Sequence, residues 1–199
     1  MVGGVHVNEE IAIKFDEYKT DLERIITRAE PLRDPNISIV KIPSRHVEEV
    51  YRKQAIMLRQ LKELHPDWDY KVINIEKIFY DFLKKRRYIE KEEYARKMER
   101  KALSGRIRGS IVKDLVDLVE QEVRELNERN PSPANVPVLV LLNMHSTYPY
   151  IETGDVISRI INDKGVYVLV LYVQDKESSK ENPEPYKHAN YTVHSYSLI

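Results

Sequence analysis

Apolar and polar positions along the chain fall into blocks with two different periods. Residues 8–29 place Ile11, Phe15, Tyr18, Leu22, Ile25 and Ile26 at helical spacing between charges, which predicts an amphipathic helix stopped at Pro31. The turn-rich PLRDPN leads into a β-branched run at 37–42, a first strand closed by Pro43. Ser44 is then the expected N-cap of a helix carrying Val47, Val50, Tyr51, Ile56, Leu58 and Leu61 toward a core and ending at His65 and Pro66. Residues 70–75 read as a second strand, followed closely by a helix striped with Ile78, Phe79, Phe82 and Leu83.

Between 90 and 130 the pattern predicts two helices or one broken one, with Gly105 and Gly109 interrupting it and the break near Ser104. Ile111, Leu115, Leu118 and Val119 share one face of the second half. Residues 136–144 and 166–173 are almost continuously apolar, the mark of strands covered on both faces, so a central parallel pair is expected. A short helix at 153–163 opened by Thr153, a long polar loop at 174–189 and a final edge strand at 191–198 complete the reading. Strands alternating with helices predict an α/β fold, a largely parallel sheet of about five strands flanked by helices, Rossmann-like or P-loop-like in architecture. A single domain over 1–199 is expected, with residues 1–30 as a helical extension packed outside the sheet.

Charge is abundant and balanced, 32 Lys plus Arg against 32 Asp plus Glu, and there is no cysteine. That excludes disulfides, thiolate metal sites and cysteine nucleophiles. The start of the chain lacks the basic and apolar regions of a signal peptide, and no apolar run approaches the ~20 residues of a membrane span, so a cytoplasmic protein with no membrane partner is expected. Many Lys, Glu, Arg, Ile and Tyr with few Gly give a thermophile-like composition.

The candidate chemistry lies where the apolar run at 136–144 ends abruptly in HSTYPYIETGD, because side chains at the carboxyl ends of parallel strands converge on a crevice. Asn143, Ser146, Tyr148 and Tyr150 are the candidate ligand-binding residues. His145, Glu152 and Asp155 are the candidate catalytic groups, in general acid-base or metal roles, for a nucleotide or phosphoester hydrolase. His145 is poorly placed to activate Ser146, since neighbours on an extended chain point to opposite faces, and the nucleophile elbow GxSxG is missing. The competing reading is structural: Thr147, Pro149 and Thr153 shape a turn and a cap while the tyrosines pack.

Phosphate chemistry of the usual kind finds no motif, because the junction after the first strand reads IPSRHVEEV without glycine and GxGxxG is absent. The histidines at 6, 46, 65, 145, 188 and 194 show no HxxxH or HExxH pairing, so no metal and no cofactor is expected. Between residues 84 and 113, twelve basic residues face four acidic ones, a net +8 that leaves −8 on the remainder of the neutral chain. Arg86, Arg87, Arg100, Arg106 and Arg108 are accordingly candidate contacts for DNA or RNA, against the plainer reading of a solvated helical face.

Short words in order along the chain resemble the BrxB-type proteins of bacteriophage exclusion (BREX) defence systems. They are VEEVYRKQAIMLRQL after the first strand, KVINI before IFYDFLKKR, VLVLLNMHSTYPYI, the apolar VYVLVLYV and the closing YTVHSYSL, together covering most of 36–199. Pro149 and Tyr150 match an aromatic dipeptide that the family carries after its central strand. This chain departs at MHSTY and Glu152, where the family tends to have a glycine turn and a basic residue, and at Gln174 and Asp175, where it tends to have Pro-Gly. The resemblance implies an accessory component of an antiviral complex, with other proteins of that complex as partners and no catalytic residues to transfer.

Overall fold

The computed structural model describes residues 3–28, 36–85, 100–129, 135–147, 154, 156, 165–173 and 194–198. Helix α1 (Gly3–Ile26) precedes strand β1 (Ile37–Ile42), a 3-10 turn at Ser44–His46 and helix α2 (Val47–Leu64). Strand β2 (Tyr70–Asn74) runs directly into α3 (Ile75–Lys85), and α4 (Arg100–Arg129) leads to β3 (Val138–Leu142) and a second 3-10 turn at Met144–Thr147. Strands β4 (Tyr167–Val173) and β5 (His194–Ser197) follow.

The five strands form one sheet in the order β2-β3-β4-β1-β5, with every pairing parallel. This is the α/β sheet the apolar pattern predicts, with β3 and β4 as an inner parallel pair and β5 at an edge. The continuous apolar run of β3 is explained by its two covers. Val138 and Val140 enter a core shared with Phe15, Tyr18 and Leu22 of α1 and Val50, Leu58 and Leu61 of α2. Leu139 and Leu141 enter the opposite core, shared with Phe79 of α3 and Ile111, Leu115 and Val119 of α4. Alternate side chains of a strand face opposite ways, so a strand between two helical layers must be apolar at every position.

Three expectations change in detail. The helix after β1 begins at Val47 with His46, not Ser44, at its N-cap, because Ser44–His46 first closes a tighter turn in which the His46 amide donates to the Pro43 carbonyl. The expected break near Ser104 is absent: α4 is continuous through Gly105 and Gly109. Each glycine costs a helix only about 1 kcal/mol, and burial of Ile111, Leu115, Val119, Val123 and Leu126 on one stripe outweighs it. Helix α1 is more than an outer extension, since Tyr18, Leu22, Ile25 and Ile26 are themselves core residues and the Ile26 carbonyl accepts from the Val136 amide. The expected helix over 153–163 and loop over 174–189 fall outside the described residues apart from Gly154 and Val156, both helical.

The strand order places a switch of direction between β4 and β1. From β1 the chain crosses to β2 through α2 on one face, whereas from β4 it passes beyond β1 to β5.

Candidate functional site at the carboxyl edge

Asn143, the first residue after β3, adopts φ 60°. Left-handed backbone is costly for most side chains and tolerated by Asn, so the chain can turn here at once into the 3-10 turn, where the Ser146 amide donates to the Asn143 carbonyl at 3.1 Å. The turn aims the Asn143 side chain along the sheet edge, where residues from three elements meet it. Its Nδ2 donates to Oδ1 of Asn74 at 3.3 Å and to Oε2 of Glu76 at 3.2 Å, and its Oδ1 accepts from the Tyr51 hydroxyl at 2.6 Å. Two oxygens on one side and a hydroxyl on the other fix which end of the amide is which.

Asn74 holds its place for a separate reason. It ends β2 and caps α3, with Oδ1 accepting from the Lys77 amide at 3.3 Å. Glu76 sits in the first turn of the same helix, where the dipole favours a carboxylate. Burial raises the Tyr51 hydroxyl above its ordinary pKa, the bond to Asn143 acts the other way, and the Glu76 charge adds to the rise.

His145 follows on the 3-10 turn, half-buried, with its ring edge-on to Tyr172 of β4 at a centroid distance of 6.4 Å. Burial lowers its pKa below the ordinary imidazole value, against the opposing pull of Glu76, and its Nδ1 is buried with no hydrogen-bond partner among the described residues. The imidazole is therefore neutral at pH 7. No hydrogen bond joins the His145 side chain to Ser146 among the described residues.

Of the ligand-binding candidates, the structure places Asn143 at the centre of the cluster and Ser146 on the turn behind it; Tyr148 and Tyr150 lie outside the described residues. The catalytic candidates Glu152 and Asp155 also lie outside them, leaving His145 alone of the three. Among the described residues no group of three or more His, Asp or Glu is placed to hold a metal ion. Tyr51, Asn74 and Glu76 were not singled out as site residues by sequence reasoning. The available signal was Asn74 itself, an Asn between a strand and a helix that marks a cap.

Of the basic candidates, Arg86 and Arg87 lie outside the described residues, while Arg100, Arg106 and Arg108 belong to the first turns of α4. At ~100° per residue, Arg106 and Arg108 fall about 240° and about 80° round the helix from Arg100, so the three positions do not share a face. No family model matches the chain, and no curated protein matches it.

Proposed function

We propose that this protein is a catalytically unassigned accessory component of a prokaryotic phage-defence complex, cytoplasmic, and acting through contacts with other proteins of that complex. The resemblance to BrxB-type proteins supports the biological setting. The observation that carries a binding role is the Asn143 cluster: its amide is fully engaged by Tyr51, Asn74 and Glu76, next to a neutral His145 that makes no hydrogen bond to a nucleophile among the described residues. A group that must transfer protons or attack is kept within hydrogen-bond reach of its partner, and no such pair is formed by His145 among the described residues. No helix among the described residues is long and apolar enough to cross a membrane.

Co-purification with the products of adjacent genes tests this reading. A stable complex is expected, with no phosphate release from ATP or GTP. Turnover abolished by His145→Ala would replace it with the hydrolase reading.

Nucleic acid is a second contact class, supported by the net +8 between residues 84 and 113. Binding of DNA and RNA across a salt series separates the two, since phosphate contacts weaken steeply with salt. Absence of binding at low salt leaves protein contacts alone.

A further inference from the structure

Helix α4 changes character at Ile111. From there to Leu126 one line of positions is buried in the core, with Leu115, Val119 and Leu126 at about 60°, about 100° and about 80° round the axis from Arg100. Nearer the N-terminus the same line is held by Lys101, Ser104 and Arg108, at about 100°, about 40° and about 80°. A second basic pair, Arg106 and Lys113, falls at about 240° and about 220°, and Ala102, Gly105 and Gly109 occupy the arc between the two pairs. Gly109 and Lys113 are exposed, and no atom stands within 4 Å of a β-carbon built at Gly109.

Charge is segregated along this one helix. Residues 100–113 hold five basic residues and no acidic one, whereas 114–129 hold six acidic residues and two basic ones. Helix stability does not account for that order. Cations in the first turn oppose the macrodipole, and Arg100, Lys101, Arg106 and Arg108 each lack an acidic residue three or four positions away. The basic end also outruns the sheet. Helix α4 lies antiparallel to β2, with Arg129 at 4.0 Å from Asp69 and Glu122 paired with Lys71. At ~1.5 Å per helical residue against ~3.3 Å per strand residue, Asn74 at the end of β2 is level with about Leu115, so the first turns of α4 extend roughly 20 Å past the carboxyl edge.

We propose that this end of α4 lies in the major groove of duplex DNA, with the line of Lys101 and Arg108 along one phosphate strand and that of Arg106 and Lys113 along the other. The inference rests on the nucleic-acid reading above and names its site and its form. A helix with its side chains is about as wide as the B-DNA major groove, roughly 12 Å, and a helix lying there has a phosphate strand on each flank. Cations on two separated lines fit that setting, and the small residues between them let the axis approach the base edges. The major groove of duplex RNA is too deep and narrow to admit the helix.

The test is fluorescence anisotropy of the full chain with a labelled DNA duplex, its separated strands, the matching RNA duplex and poly-glutamate, each across a salt series. The DNA duplex is expected to bind most tightly. Lys101→Gln with Arg108→Gln, and separately Arg106→Gln with Lys113→Gln, should each lower duplex affinity by about tenfold or more and reduce the salt slope by about 2. Gly109→Gln should weaken the duplex at unchanged charge, while Lys84→Gln with Lys85→Gln, exposed on α3, should change neither affinity nor slope. Melting temperatures show that each variant is folded. Tighter binding of single strands, RNA duplex or poly-glutamate would overturn the proposal. Wild-type affinity and slope in both paired variants would remove α4 as the site and leave the nucleic-acid reading, and no binding of any nucleic acid at low salt would remove both.

Discussion

The hydroxyl of Tyr51 donates to Oδ1 of Asn143 across 2.6 Å, joining the first turns of α2 to the residue that follows β3. The bond spans the sheet edge and orients an amide whose other end holds Asn74 and Glu76. Tyr51→Phe removes the only described donor to that oxygen while keeping the ring in the core. A loss of about 1 kcal/mol in urea unfolding is expected, the ordinary net worth of such a bond.

Backbone strain at Asn143 separates from its side-chain bonds by comparing two variants. Asn143→Ala and Asn143→Gly both lose the network, but only alanine meets the steric cost of φ 60°. The glycine variant is expected to be the more stable by about 1 kcal/mol, the reverse of their usual order in a folded chain. Equal stability in denaturant would show that the turn relaxes.

Gln54 is 3% exposed on the core side of α2, between Val50 and Leu58, and neither end of its amide finds a partner among the described residues. Gln54→Leu keeps a similar volume and removes two polar atoms from an apolar layer. A gain of about 1–3 kcal/mol is expected, read as a rise of several degrees in melting temperature. A drop would show that the amide is held by ordered water.

Gly109 lies within α4, exposed, and no atom comes within 4 Å of where a β-carbon would stand. Its backbone is not left-handed. Gly109→Ala should therefore stabilise the protein by about 0.5–1 kcal/mol, chiefly by restricting the unfolded chain. Circular dichroism melting of the two forms reads the difference.

The buried ring of His145 makes stability depend on pH in a definite direction. Its folded pKa lies below the ordinary 6.5, so the unfolded chain takes up the proton first as pH falls. The contribution is complete above pH 6.5, declines below it and levels off once the pH passes beneath the folded value. Unfolding free energies of wild type and His145→Phe are expected to converge or cross on acidification, and a difference that does not vary with pH would show that His145 titrates as it does in the unfolded chain.

Much of the architecture was legible because burial on two faces leaves a signature in one dimension. Strands β3 and β4 had to be apolar throughout, and α2 had to repeat apolar residues every three to four positions, whatever else the chain contained. The helix across Gly105 and Gly109 was not legible, because propensity warns of a break and only packing of the stripe from Ile111 to Leu126 overrides it.

The sequence by itself determined the α/β class and the inner pair of strands β3 and β4, but not the turn at Asn143, since the apolar run predicts an extended chain through Met144. Tertiary structure alone decided the strand order and with it which residues meet Asn143. Tyr51, Asn74 and Glu76 lie 92, 69 and 67 positions away along the chain. Their convergence depends on α2 crossing one face and on β2 pairing in register with β3, Asn74 opposite Leu142. Local periodicity records which side of an element is buried; it does not record which strand lies beside which, because that is set by long-range pairing and the direction of each crossover.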